Sequence, residues 1–274
     1  MNYIQLKVDL DDLEPWRDIF IAQLADIGYE SFVETKTGFL GYITETLYQK
    51  QMTEEVLSQK TNVKITTELI EQQNWNHEWE KNFDPVFVDN KLAIVAPFHE
   101  VPTGFREIIT IMPKMSFGTG HHQTTWLASQ LLFDLDLQNK DVLDMGTGTG
   151  ILAILAEKLG AKSVFAPDID EWSVENAKEN VLNNNCKKIS VELGSDDLIR
   201  DKIFHIIIAN INKNVLIQHF SVYSTSLTFG GKLLISGFFE TDKEDLVEQA
   251  TKHGFIFENM FTKEGWALIQ FTKK

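Results

Sequence analysis

Residues Asp141-Val142-Leu143-Asp144-Met145-Gly146-Thr147-Gly148-Thr149-Gly150-Ile151-Leu152 constrain the fold of this chain more than any other stretch. Val142 and Leu143 fit a short strand in a covered sheet. Gly146, Gly148 and Gly150 remove the Cβ where the backbone must turn sharply and lie close to a ligand. Ile151, Leu152, Ile154 and Leu155 then open a helix that Gly160 can end. The free N–H groups at the start of such a helix face whatever lies above the turn. Strand, glycine turn and helix in this order form the ligand corner of a doubly wound α/β sheet.

The spacing narrows the ligand. A dinucleotide fingerprint, G-x-G-x-x-G, would place its third glycine where Ile151 stands. The pattern is D-x-G-x-G-x-G instead, which resembles the first motif of the S-adenosylmethionine-dependent methyltransferases. That resemblance implies an acidic residue at the tip of the next strand. Val164-Phe165-Ala166-Pro167-Asp168 supplies Asp168, 22 residues after Gly146. A carboxylate there can accept hydrogen bonds from both ribose hydroxyls.

The rest of the chain gives the setting. At 274 residues it has room for one large or two ordinary domains. No stretch approaches the roughly 18 consecutive apolar residues of a membrane helix. The N-terminus lacks the basic start and apolar run of a signal peptide. Cys186 is the single cysteine, so no disulfide framework or thiolate metal cluster is expected. These features point to a cytoplasmic protein. The net charge of −15 disfavours DNA binding, which rests on neutralising phosphates, and suits a basic partner.

Residues 1–72 read as a small domain. Ile4, Leu6 and Val8 alternate with polar residues as in a half-buried strand. Trp16, Ile19, Phe20, Leu24 and Ile27 recur at helical spacing. Two paired strands around Thr35–Thr37, a helix near 52–60 and a strand at Val63–Leu69 complete a β-α-β-β-α-β order, that of a ferredoxin-like fold. Residues 73–82 read as a linking helix with Trp75 and Trp79 on one face. Residues 83–274 carry the glycine turn. They are expected to begin with a hairpin around Asp89-Asn90 and to close with one through Phe255–Asn259 and Trp266–Phe271.

Two further stretches carry candidate chemistry. Phe117-Gly118-Thr119-Gly120-His121-His122-Gln123-Thr124-Thr125 is a glycine loop rich in hydroxyls and imidazoles, placed to close over the cofactor. Adjacent histidines point different ways and no carboxylate stands at ligand spacing, so a metal site is not expected. A general base at either histidine stays open. Ile203–Ile208 is an apolar run suited to a central parallel strand, with Asn210 at its exit. Asn210 offers a carbonyl acceptor and an amide donor. It can instead cap the following helix, unless Asn212 takes that role. Asp196 can reach an adenine amino group or sit in a solvated loop.

Together these stretches resemble the ribosomal protein L11 methyltransferase family. The matching residues are F-G-T-G-H-x-x-T-T at Phe117–Thr125, L-D-x-G-x-G-x-G-I-L-A-I at Leu143–Ile154, D-I-D at Asp168–Asp170, A-N-I at Ala209–Ile211 and G-G-x-L-x-x-S-G at Gly230–Gly237. Lys114, Thr147 and Pro167 depart from the family pattern. The resemblance implies a seven-stranded Rossmann-like class I methyltransferase domain after the ferredoxin-like one. It implies that Thr125, Gly146, Asp168 and Asn210 contact S-adenosyl-L-methionine, with Gly148 and Phe117 added from their places in the two motifs. Asn210 would orient cofactor or substrate. The implied acceptors are lysine ε-amines and the N-terminal α-amine of ribosomal protein L11. The implied enzyme is a monomer, bound to neither DNA nor membrane. A class I methyltransferase for another protein, RNA or a small molecule is the alternative, although Asn210-Ile211-Asn212 lacks the Asn-Pro-Pro-Tyr of adenine and glutamine methylating enzymes. A non-catalytic module that kept the fold is a third reading.

Overall fold

The computed structural model describes residues 2–70, 83–114 and 116–274. The reading of Trp75 and Trp79 as a linking helix falls outside them. The chain divides into two compact units, residues 1–82 and 83–274.

The leading unit runs β1 (Tyr3–Asp9), α1 (Trp16–Asp26), β2 (Ser31–Thr35), β3 (Gly38–Thr44), α2 (Lys50–Leu57) and β4 (Lys64–Ile70). Its antiparallel sheet has the order β2-β3-β1-β4, the ferredoxin-like arrangement. Leu6 and Val8 of β1, Phe39 and Ile43 of β3, and Phe20 and Leu24 of α1 share one buried cluster. The alternation in β1 therefore does what its period demands: every second side chain enters the core.

The larger unit begins with a small sheet. β5 (Val86–Val88) and β6 (Leu92–Val95) form a hairpin, with Asp89 at φ 48° in its turn. A third strand, β7 (Glu107–Thr110), pairs parallel to β6. Four residues are too few to show a period, which is why the sequence gives no sign of β7. Then follow α3 (Gln123–Leu132), β8 (Asp141–Met145), α4 (Ile151–Lys158), β9 (Ser163–Asp168), α5 (Glu171–Asn183), β10 (Ile189–Leu193), β11 (Phe204–Asn210), α6 (Lys213–Ser226), β12 (Leu227–Phe239), α7 (Lys243–Lys252), β13 (Phe255–Lys263) and β14 (Trp266–Lys273).

The main sheet has seven strands in the order β10-β9-β8-β11-β12-β14-β13. All neighbours are parallel except those of β14, which runs antiparallel to β12 and β13. Its pleat sorts side chains into two cores. Val142, Ile206, Ile208 and Leu234 pack with α3, α4 and α5 on one face. Leu143, Ile207, Ala209, Leu233 and Ile235 pack with α6 and α7 on the other. Burial on both faces explains why β11 reads as an unbroken apolar run.

β12 starts five residues earlier than the turn at Gly230-Gly231 suggests. The pair lies inside the strand as an irregularity, where pairing to β11 jumps from Phe204–Leu227 to Ile206–Lys232 and Gly230 takes φ 72°. Beyond it the strand exits beside β11.

The central strand is the place to test this packing. Ile207→Ala removes a fully buried side chain and should cost about 2–5 kcal/mol in urea unfolding. Phe229→Ala, at a side chain 86% exposed, should change stability by less than about 0.5 kcal/mol.

Candidate functional site

The chain order moves outward from β8 to β10, then returns to β11 on the opposite side of β8. Ligands of open α/β sheets bind at such a reversal, beyond the carboxyl ends of the strands. Here those ends are Met145 of β8 and Asn210 of β11, joined by the parallel pairing Ala209–Met145.

The glycine turn leaves β8 with Gly146 at φ 70° and Gly148 at φ 57°. A side chain is excluded at Gly148, because a Cβ would lie 2.3 Å from the carbonyl oxygen of Phe117. The turn is held from three sides. Gly146 N–H donates to the carbonyl of Pro167 at 2.9 Å. Thr149 donates from its N–H to Phe117 (2.9 Å) and from its hydroxyl to Gly118 (2.6 Å), so the Phe117 loop is docked on the turn. From beneath, Asp144 Oδ2 accepts from the Thr147 hydroxyl (2.6 Å) and from Ala153 N–H (3.1 Å). Gly150, at the N-cap of α4, has no side chain to offer. Asp144 therefore satisfies an orphan donor of the helix from the preceding strand.

Asp168 sits at the tip of β9, almost wholly buried. Its Oδ2 accepts from Gly148 N–H (2.8 Å) and its Oδ1 from Asp170 N–H (3.0 Å). Each oxygen keeps capacity for one more donor, which a vicinal diol can supply. Asp170 caps α5 by accepting from Trp172 N–H.

Asn210 behaves differently. Asn212 takes the N-cap of α6, accepting from Asn214 N–H at 2.9 Å. The Asn210 amide nitrogen reaches Thr125 Oγ1 at 3.4 Å, while its Oδ1 is buried without a hydrogen-bond partner. A buried acceptor left unpaired costs about 1–3 kcal/mol, so it marks a place where a donor belongs.

These residues surround a cavity of about 520 Å³, within the usual range for a small-molecule site. Phe117, Gly146, Gly148, Asp168 and Asn210 all line it. Thr125 does not. It is fully buried on α3 and touches the site through Asn210. His122, Trp266, Gly237 and Ile211 also line it. His121 is turned away, its ring bonded to the Asp84 carbonyl (2.9 Å) and the Thr119 hydroxyl (3.1 Å). Asp196 pairs with Arg200 and is not part of the lining. Of the departures from the family pattern, Lys114 is ion-paired with Glu179 outside the cavity. Thr147 carries the bond to Asp144.

His122 caps α3, its Nδ1 accepting from Thr124 N–H at 3.2 Å. Burial lowers its pKa. Both effects favour the neutral ring with its proton on Nε2, and its lone pair at Nδ1 is engaged by Thr124. Among the described residues, no group of three His, Cys, Asp or Glu side chains is placed to hold a metal ion.

The lining includes two carboxylates and neither lysine nor arginine. That charge balance suits a cationic ligand with a ribose better than an anionic one. The glycine cradle and the half-filled carboxylate of Asp168 fit S-adenosylmethionine, and the unpaired Asn210 oxygen leaves room for a further donor in the same cavity. Fold and site define a class I S-adenosylmethionine-dependent methyltransferase. A family model described as ribosomal protein L11 methyltransferase (PrmA) matches residues 13–274. Ribosomal protein L11 methyltransferases of Porphyromonas gingivalis and Phocaeicola vulgatus are 41% and 39% identical, covering 99% and 95% of this chain and 98% and 95% of their own. The crystal structure of a ribosomal protein L11 methylase from Lactobacillus delbrueckii subsp. bulgaricus superposes with a TM-score of 0.66 at 30% identity, over 70% of this chain and all of that one. The chain belongs to the ribosomal protein L11 methyltransferase family.

The buried carboxyl of Asp144 gives this site a pH signature. Burial pushes its pKa from 3.8 up to about 6, against the two hydrogen bonds it accepts. The folded protein therefore holds this proton more tightly than the unfolded chain. Its contribution to stability is complete below pH 3.8 and is lost as pH rises through about 6. Asp144→Asn keeps an acceptor for Thr147 and Ala153 but cannot titrate. Relative to that variant, the wild type should lose about 2 kcal/mol of unfolding free energy between pH 4 and 7. A difference that stays constant over this range in urea titrations would sink the assignment.

Proposed function

We propose that this chain transfers methyl groups from S-adenosylmethionine to ribosomal protein L11, on lysine ε-amines and the N-terminal α-amine. The observation that carries the chemistry is the unpaired Oδ1 of Asn210 in a cavity lined by carboxylates and no cation. S-adenosylmethionine supplies a methyl group already activated by its sulfonium, which leaves as a neutral thioether while the acceptor nitrogen's lone pair forms the new bond.

The protein's share is placement. Gly146 and Gly148 let the backbone lie against the cofactor, and Asp168 receives its ribose hydroxyls. Asn210 Oδ1 accepts an N–H of the acceptor amine and so turns the nitrogen lone pair toward the methyl group. Thr125 fixes the amide by accepting from its nitrogen. A lysine amine is protonated in water, with a pKa near 10.4. Entry into a half-buried site favours the neutral form that can react. The Phe117 loop acts as the lid that keeps water out. The leading ferredoxin-like unit, residues 1–72, holds the ribosomal protein, and the chain's net charge of −15 favours a basic partner. Residues 73–82 link it to the catalytic domain. Such a reaction belongs to the cytoplasm, where the acceptor is made. Among the described residues no helix is long and apolar enough to cross a membrane.

Incubation with methyl-labelled S-adenosylmethionine and unmethylated ribosomal proteins, followed by mass spectrometry, should place label on L11 amines. Label on RNA or a small molecule alone would leave the fold standing and defeat the substrate. Asp168→Ala should weaken S-adenosylhomocysteine binding by roughly 100-fold in calorimetry, the worth of two charge-assisted hydrogen bonds. Asn210→Ala should lower kcat by about 10–100-fold while that affinity changes less than about threefold. Equal losses in both quantities would assign Asn210 to the cofactor instead.

A further inference from the structure

The loop that carries Phe117 and His122 has a second side, away from the cavity those two residues line. At Gly120 it lies against the small sheet: φ is 97°, and a Cβ there would be 2.6 Å from Ile94 Cδ1 and 3.5 Å from Val86 Cβ. Next to this close approach, the His121 ring reaches the backbone just before β5, its Nε2 donating to the Asp84 carbonyl at 2.9 Å. The preceding carbonyl is held as well. His99, in the loop after β6, donates to Phe83 from its Nε2 at 2.6 Å. We propose that the two imidazoles clamp the root of the segment linking the two units, and that His121 is a positioning residue that carries cofactor binding from the loop to that root. The consequence for the protein substrate rests on the reading of residues 1–72 as the part that holds it.

The partners fix the proton positions. A carbonyl oxygen only accepts, so each ring donates from Nε2. On His99 the other nitrogen, Nδ1, accepts from Ala96 N–H at 3.0 Å, which leaves the ring's proton for Phe83. On His121 Nδ1 faces the Thr119 hydroxyl at 3.1 Å, a donor that rotates to suit it. The Phe83 ring packs against both imidazoles, its centroid 4.7 Å from that of His121 and 6.1 Å from that of His99. Phe98 completes the group, 6.2 Å from Phe83 and 4.8 Å from His99. Phe83 and Asp84 are the first residues of the larger unit, so the clamp holds the chain where residues 73–82 join it.

A short path joins this clamp to the cofactor cavity. Thr149, in the glycine turn, holds the loop through the Phe117 and Gly118 carbonyls. Further along the same loop His121 holds Asp84. A ligand filling the cavity meets Phe117, Gly148 and His122 and so reduces the motion left to the loop. That restraint passes through His121 to the linker root. A protein bound through the leading unit then has less conformational freedom left to freeze, and binds more tightly. The dependence is reciprocal: the factor that the cofactor adds to the affinity for the protein, the protein adds to the affinity for the cofactor. His121 is exposed, so its replacement leaves the core intact.

Hydrogen exchange read by mass spectrometry on the full chain tests the path without any protein substrate. S-adenosylhomocysteine should slow exchange by about threefold or more in the peptide 83–88 as well as in the loop 117–125. In His121→Ala the slowing should remain in the loop and vanish from 83–88. His121→Gln, whose side-chain amide can donate to the same carbonyl, should restore it. Calorimetry then reads the consequence. S-adenosylhomocysteine should tighten L11 binding by about tenfold in the wild type and in His121→Gln, and by less than about twofold in His121→Ala. A role confined to local stability would lower both affinities in His121→Ala and leave that ratio unchanged, a result that overturns the proposal. So does slowing at 83–88 that survives in His121→Ala or is missing from the wild type. If the exchange pattern is as described and L11 fails to bind at all, the clamp stands and the substrate assignment falls.

Discussion

The carboxylate of Asp168 is the joint on which the site depends. Through Gly148 N–H and Asp170 N–H it ties the glycine turn after β8 to the loop after β9. With the bond from Gly146 N–H to the Pro167 carbonyl, this makes the two loops one surface. The same two oxygens keep their outward capacity for a diol. One group thus joins the two loops and leaves acceptor capacity facing the cavity. Charge-assisted bonds to backbone N–H groups are short and strong, which makes the surface stiff before a ligand enters.

A second carboxylate works beneath the first. Asp144 is fully buried and receives no cation, only the Thr147 hydroxyl and Ala153 N–H. It replaces the cap that Gly150 cannot provide. The glycines of the turn carry no side chain to fix their own conformation, so neighbours must do so: Pro167 through its carbonyl, Phe117 and Gly118 through theirs, and Asp144 from below. The freedom of glycine is needed at the point of closest approach, and the surrounding bonds remove the flexibility that would come with it.

Much of this is legible in the sequence because it is local. The turn, the helix after it and Asp168 at the next strand tip follow from fixed spacings within one β-α-β unit. The leading unit follows from the period of β1 and α1. Asn210 is readable as a strand exit, and its release from capping by the presence of Asn212 two residues on. What the sequence hides depends on pairing between distant segments. Trp266 enters the cavity only because β14 runs antiparallel against β12, and Phe239 joins it only through the bulge at Gly237. Gly237 is visible as the end of a motif, but no local pattern states that its missing Cβ makes room for the Ile211 carbonyl. Thr125 shows the converse. Its place in a motif suggests direct contact with a ligand, whereas the fold buries it one step behind Asn210.

Charge and aromaticity divide the cavity between two tasks. The β9 side, with Asp168 and Asp170, presents fixed hydrogen-bond acceptors and negative charge. The β14 side presents aromatic rings, and the Asn210 amide at the end of β11 lies between the two sides. A carboxylate on the second side would stabilise the ammonium form of an incoming lysine, which has no lone pair and cannot react. Rings attract the cation more weakly, and they do so without discriminating against alkyl groups. The antiparallel strand β14, inserted between β12 and β13, is what brings Trp266 to the cavity.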